Sequence, residues 1–173
     1  MTTGAVARSF TILRGLVYSA GFVGVWLWLA GSVRRFDADL PIAIPGWLAP
    51  IGVVVAVVGG IVAAACIATF VTIGRGTPAP FDPPREFVAS GPYRYVRNPM
   101  YVGAALALFG GGLALASPAV LALAIAFLAL MHGFVVLYEE PTLADTFDGS
   151  YLAYKASVRR WRPRRPSSAR AAG

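Results

Sequence analysis

The chain has 173 residues, of which 57% are hydrophobic and only 13% charged, with a formal net charge of +7 and a mean hydropathy of +0.67. That mixture excludes an ordinary soluble domain, in which about a quarter of the residues are charged, and a single cysteine with a single histidine excludes a disulfide framework and a nitrogen- or sulfur-ligated metal site. The basic residues flank apolar blocks without a zinc or helix-turn-helix pattern, so the charge reads as topology and contact with membrane lipids, with no nucleic acid as partner.

The apolar blocks predict an all-α, polytopic integral membrane protein forming one domain over residues 1–173, since about 20 helical residues cross a hydrocarbon core. About four transmembrane helices are expected, followed by an amphipathic helix and a basic tail. The first span covers residues 10–33, with Trp26 and Trp28 near its far end, where indole rings favour the membrane interface. A cleaved signal peptide is excluded by the length of this run and by the three apolar blocks that follow. Residues 34–47, "RRFDADLPIAIPGW", read as a loop, because their prolines cannot continue a helix. The second span covers 48–74, and Gly59 and Gly60 near its middle would let a neighbouring helix approach closely.

Residues 75–99 form a proline-rich, largely nonhelical connector holding Arg75, Arg85, Arg94 and Arg97. A third, shorter span covers 100–116, Ser117 and Pro118 mark a tight turn, and a fourth span covers 119–138, so the last two spans form an antiparallel hairpin. From 142 to 161 the chain is amphipathic, with Leu143, Phe147, Tyr151 and Tyr154 on one helical face, and residues 162–173 form the basic tail. Four crossings place both termini and the 75–99 connector on one side, which carries nearly all the arginines. The positive-inside rule makes that side cytoplasmic, in a plasma membrane or bacterial inner membrane.

Two polar clusters meet on this face: "GPYRYVRNPMYVG", residues 91–103, opens the third span, and "LYEEP", with Glu139 and Glu140, closes the fourth. Adjacent carboxylates at a membrane boundary need a cation or water. Either they pair with Arg94 or Arg97 and pin the hairpin, or they bind a cationic or hydroxyl-rich ligand from the cytosol. Asn98, just ahead of Pro99, reads as a helix N-cap. Gly74 and Gly76 in "GRG" read most simply as a helix C-cap. His132 lies two helical turns before Glu139, on the same face, and is expected to hydrogen-bond inside the bundle.

The order G-x-G, "GPYRYVRNPMYVG", "LYEEP", then F-x-x-x-Y-x-x-Y with "RRWRPR", over roughly residues 74–165, resembles the integral membrane methyltransferases that include isoprenylcysteine carboxyl methyltransferases and phospholipid N-methyltransferases. The resemblance implies S-adenosylmethionine as cofactor, bound by Tyr93, Arg97, Asn98, Pro99, Tyr101, Gly103, Glu139 and Glu140, with Gly74 and Gly76 added from the phospholipid branch. It implies a lipid or isoprenoid-like acceptor, taken from the bilayer and carrying either a carboxylate or an amine. Amine methylation needs a base, for which Glu139 and Glu140 are the candidates. On this reading Glu140→Ala abolishes cofactor binding in a protein that stays folded. Asn98 stands where histidine is more usual, as in the phospholipid enzymes, and "FDGSY" departs from the commoner Phe-Gly-x-x-Tyr. The alternatives are an NADPH-dependent membrane reductase of related fold and a non-enzymatic scaffold or transport subunit.

Overall fold

The computed structural model describes residues 2–70, 72 and 88–163, with side chains from Leu13 onward and at Phe10. Among these residues the chain is all-α: α1 Thr2–Val33, α2 Ala49–Thr69, α3 Pro99–Ala114, α4 Pro118–Phe134 and α5 Glu140–Ser157, with a π-helical turn Val135–Glu139 joining the last two. A proline occupies the first turn of α2, α3, α4 and α5, where its missing N–H costs nothing. Three helical stretches, Leu13–Asp39, Gly46–Thr69 and Pro118–Ser157, are long and apolar enough to cross a membrane. The 16 residues of α3 span only about 24 Å at 1.5 Å each.

The closest packing is between α2 and α3. A Cβ placed on Gly52 would lie 2.6 Å from the Gly110 carbonyl oxygen, and one on Gly59 would lie 2.5 Å from that of Gly103. The two glycine pairs are each seven residues apart, so they lie on one face of their helices, and only glycine permits backbones this close. Gly60, expected to share this role, faces open space. It sits about 100° around the helix from Gly59 and therefore cannot face the same neighbour.

The predicted hairpin is present. Ala116, at φ 48°, reverses the chain between α3 and α4, and Ser117 Oγ caps α4 by accepting from Val120 N–H at 3.2 Å. Residues 34–47 are not simply a loop, since they contain the 3-10 turns Arg34–Asp39 and part of Gly46–Leu48. The first turn brings Asp37 Oδ1 to the start of α4, where it accepts from Ser117 Oγ at 2.8 Å and Ala119 N–H at 3.0 Å. α1 packs through Phe22 and Trp26 against the fully buried Phe127 of α4, Trp26 at a ring-centroid distance of 4.6 Å. Trp26 thus packs between α1 and α4, whereas Trp28 is exposed.

The expected amphipathic helix 142–161 begins earlier and ends at Ser157, and it is broken at Asp148, whose φ of 38° and ψ of −122° are not helical. Its predicted inner face survives the break, with Tyr151 buried and Leu143, Phe147 and Tyr154 half-buried. A positive φ is strained for a residue with a Cβ, and the neighbouring Gly149 does not occupy that position. Asp148→Gly is expected to stabilise the fold by about 1 kcal/mol, seen as a higher thermal unfolding temperature in detergent, and Asp148→Val is expected to lower it.

Candidate functional site

The site is built where α3 begins, where α4 runs into α5, and where the chain returns after α5. Gly91, at φ 58°, lies against the Thr69 side chain and starts the 3-10 turn Gly91–Arg94. That turn buries Tyr93, whose ring meets Phe70 edge-on at 5.3 Å. Burial, and after it the neighbouring Cys66, raises the Tyr93 hydroxyl far above its ordinary range, so it stays protonated.

After α5 the backbone extends from Val158 and straps itself to this loop. Tyr154 Oη donates to the Tyr93 carbonyl at 2.7 Å, Arg97 N–H donates to the Arg159 carbonyl at 2.9 Å, and Asn98 Nδ2 donates to the Arg160 carbonyl at 3.2 Å. Asn98 is therefore not the expected side-chain N-cap: its side chain makes no capping hydrogen bond to α3 and is spent on the strap. The next residue along the strap, Trp161, donates its indole N–H to His132 Nδ1 at 3.1 Å.

The two glutamates lie just past the apolar part of α4 and have different surroundings. Glu140 is buried and holds three cations: Arg160 through Nε at 2.6 Å and Nη2 at 3.0 Å, Arg97 at 3.0 Å and Lys155 at 3.1 Å. Burial by itself would raise its carboxyl, but the hydrogen bonds from Arg160 and Lys155 and the charge of Arg97 outweigh it and hold Glu140 below the usual carboxylate range. Glu139 accepts one hydrogen bond among the described residues, from Tyr101 Oη at 3.1 Å. Burial, with the Glu140 charge beside it, raises its carboxyl despite that bond.

Adjacent helical residues point about 100° apart, which gives the pair these different directions, and the π turn resets their phase relative to α4. In an α-helix a seven-residue spacing returns to the same face, but a π turn uses about one more residue for the same rotation, an offset of about 100°. His132 and Glu139 therefore do not share a face as expected: His132 is exposed, whereas Glu139 lines a small cavity. That cavity has a volume of about 30 Å³ and is walled by Tyr93, Arg97, Asn98 and Tyr101 together with Phe70 and Met100. Arg97 is nine-tenths buried, yet its Nε and Nη1 have no hydrogen-bond partner among the described residues, although a buried polar group normally finds one.

Five of the residues singled out in the sequence, Tyr93, Arg97, Asn98, Tyr101 and Glu139, thus meet at one cavity, with Glu140 behind Arg97. Pro99 is buried in the first turn of α3. Gly103 packs one turn farther along against Gly59 and Ala63 of α2. Gly74 and Gly76 lie outside the described residues. Of the two arginines considered as partners for the glutamates, Arg97 takes that place and Arg94 is exposed. Sequence reasoning missed Lys155 and Arg160, which it placed in the amphipathic segment 142–161 without a role at the glutamates. The available signal was electrostatic: a buried carboxylate pair needs more positive charge than one arginine supplies.

Among the described residues no group of three or more histidine, cysteine or acidic side chains is placed to hold a metal ion. A family model described as phospholipid methyltransferase matches residues 47–150, from the start of α2 to the middle of α5. The match includes the cavity residues and both glutamates and stops short of the strap. No curated protein and no solved structure matches the chain.

Proposed function

Because the chain belongs to the phospholipid methyltransferase family, we propose that it transfers a methyl group from S-adenosylmethionine to the amine of a membrane lipid headgroup. The observation that carries the amine assignment is Glu139, a carboxylate at the cavity wall with only a tyrosine hydroxyl bonded to it among the described residues. Such a group attracts a cation and repels an acceptor carboxylate. The family match supports methyl transfer over the reductase and scaffold readings.

The residues present fit the cofactor. The two Arg97 nitrogens without a partner among the described residues suit its carboxylate, Tyr93 and Phe70 offer aromatic surface, and Glu139 suits positive charge. The cavity takes a water-sized part of such a ligand. When bound, S-adenosylmethionine supplies a sulfonium methyl that forms a C–N bond with the amine as its C–S bond breaks, leaving a neutral thioether. Glu139 accepts the proton that the acceptor ammonium must lose before its lone pair is available, and Tyr101 holds the Glu139 carboxylate in place. Arg97 orients, and Phe70 and Met100 exclude water from one side.

We further propose that α3 also crosses the bilayer. That gives four crossings, with both termini on the cytoplasmic side, where Arg94, Arg97, Lys155, Arg159, Arg160 and Arg162 oppose only Arg34 and Arg35. The test uses methyl-labelled cofactor, which does not cross bilayers, added outside sealed membrane vesicles containing phosphatidylethanolamine and a prenylcysteine. Label is expected on the phospholipid amine in inside-out vesicles and not in right-side-out ones. Label on the prenylcysteine carboxyl would overturn the amine assignment, and labelling only of right-side-out vesicles would overturn the topology.

A further inference from the structure

Glu140 Oε1 receives Arg160 Nε and Arg97 Nη2, while Oε2 receives Arg160 Nη2 and Lys155 Nζ. Arg160 makes two hydrogen bonds to this carboxylate, and Arg97 and Lys155 stand beside it as ion pairs. Three cations therefore already neutralise Glu140, and Arg97 approaches it through Nη2. An unopposed arginine and carboxylate close into a two-bond fork, the stronger arrangement. Here Arg160 occupies that fork position, and Arg97, which lines the cavity, is left with Nε and Nη1 buried and without a hydrogen-bond partner among the described residues.

We infer that Arg160 is a positioning residue: by taking the bidentate place on Glu140 it keeps the Arg97 guanidinium turned to the cavity as an anion receptor. The same residue fixes a second cavity wall, since its carbonyl holds the Asn98 amide. It reaches both because the strap is pinned on either side, by Arg97 N–H on Arg159 and by Trp161 on His132. Without the Arg160 side chain, Arg97 closes its own fork on Glu140 and withdraws its donors. Lysine is not an equivalent replacement, because a point charge does not span both carboxylate oxygens.

The inference rests on the cofactor reading above, with the cofactor carboxylate as the anion at Arg97. The test is calorimetric binding of S-adenosylmethionine, and of its decarboxylated analogue, to the purified full chain in detergent, comparing wild type, Arg160→Ala and Arg160→Lys. The cofactor Kd is expected to rise about 10- to 100-fold in both variants, the range of a lost charged hydrogen bond, while the Kd of the analogue changes by less than about twofold. Arg160→Lys keeps a cation beside Glu140 and carries the test if the alanine variant does not fold. Equal weakening of both ligands would mean that Arg160 only supports the fold, and unchanged binding of both would remove any role; either overturns the inference alone. Failure of the wild type to bind S-adenosylmethionine overturns the cofactor reading, and this inference with it.

Discussion

Glu139→Gln is expected to lower methyl transfer to a lipid amine by about 10²- to 10⁴-fold, the usual contribution of a positioned base, while thermal stability stays near wild type. Glutamine has the same shape and can still accept the Tyr101 hydroxyl bond, so the change removes the negative charge and proton acceptance and leaves the packing. The pH dependence gives an independent sign. Burial and the Glu140 charge raise the Glu139 carboxyl, so activity should fall on acidification at a pH above the ordinary carboxylate range, and that acid limb should vanish in the variant. Initial rates with labelled cofactor across pH measure both effects. A variant with wild-type rate and profile would exclude Glu139 as the base.

Glu140→Ala should act mainly on the fold. It leaves Arg97 nine-tenths buried beside Lys155 and Arg160 with no carboxylate between them, and removing one partner of a buried pair costs about 3–5 kcal/mol. Lys155 and Arg160 are themselves partly exposed and contribute the smaller share. Denaturant or thermal unfolding in detergent measures the loss. The sign with pH follows from the lowered folded-state pKa: this stabilisation is present above the unfolded carboxylate value and is lost as the pH falls through the folded one. Wild-type stability with cofactor binding abolished, the outcome expected from sequence, would show Glu140 to be a ligand and not a structural anion.

Sequence alone exposed those features of the fold and site that depend on local pattern. Apolar block lengths located the helices, Ser117 and Pro118 located the hairpin turn, and the juxtaposition of 91–103 with Glu139 and Glu140 followed from that hairpin. What the pattern could not give was direction within a turn. Gly59 and Gly60 are neighbours in sequence, yet only Gly59 meets α3, because one residue rotates the side-chain direction by about 100°. Asn98 has the composition of a cap and the right place for one, but a contact 62 residues away claims it. Arg160 was invisible for the same reason, since nothing local ties a residue after α5 to the junction before it.

The widened turn at Val135–Glu139 also affects how this chain compares with others. A π turn is equivalent to one residue inserted into a regular helix, so the register upstream of it, set by Phe127 and Met131, and the register downstream, set by the two glutamates, belong to different helical phases. A homologue with one residue fewer in this stretch would keep every side chain of the motif and yet turn the counterpart of Glu139 out of the cavity and that of Glu140 away from its cations. In this segment the length of the chain is itself a functional character, and a gap in an alignment carries as much meaning there as a substitution.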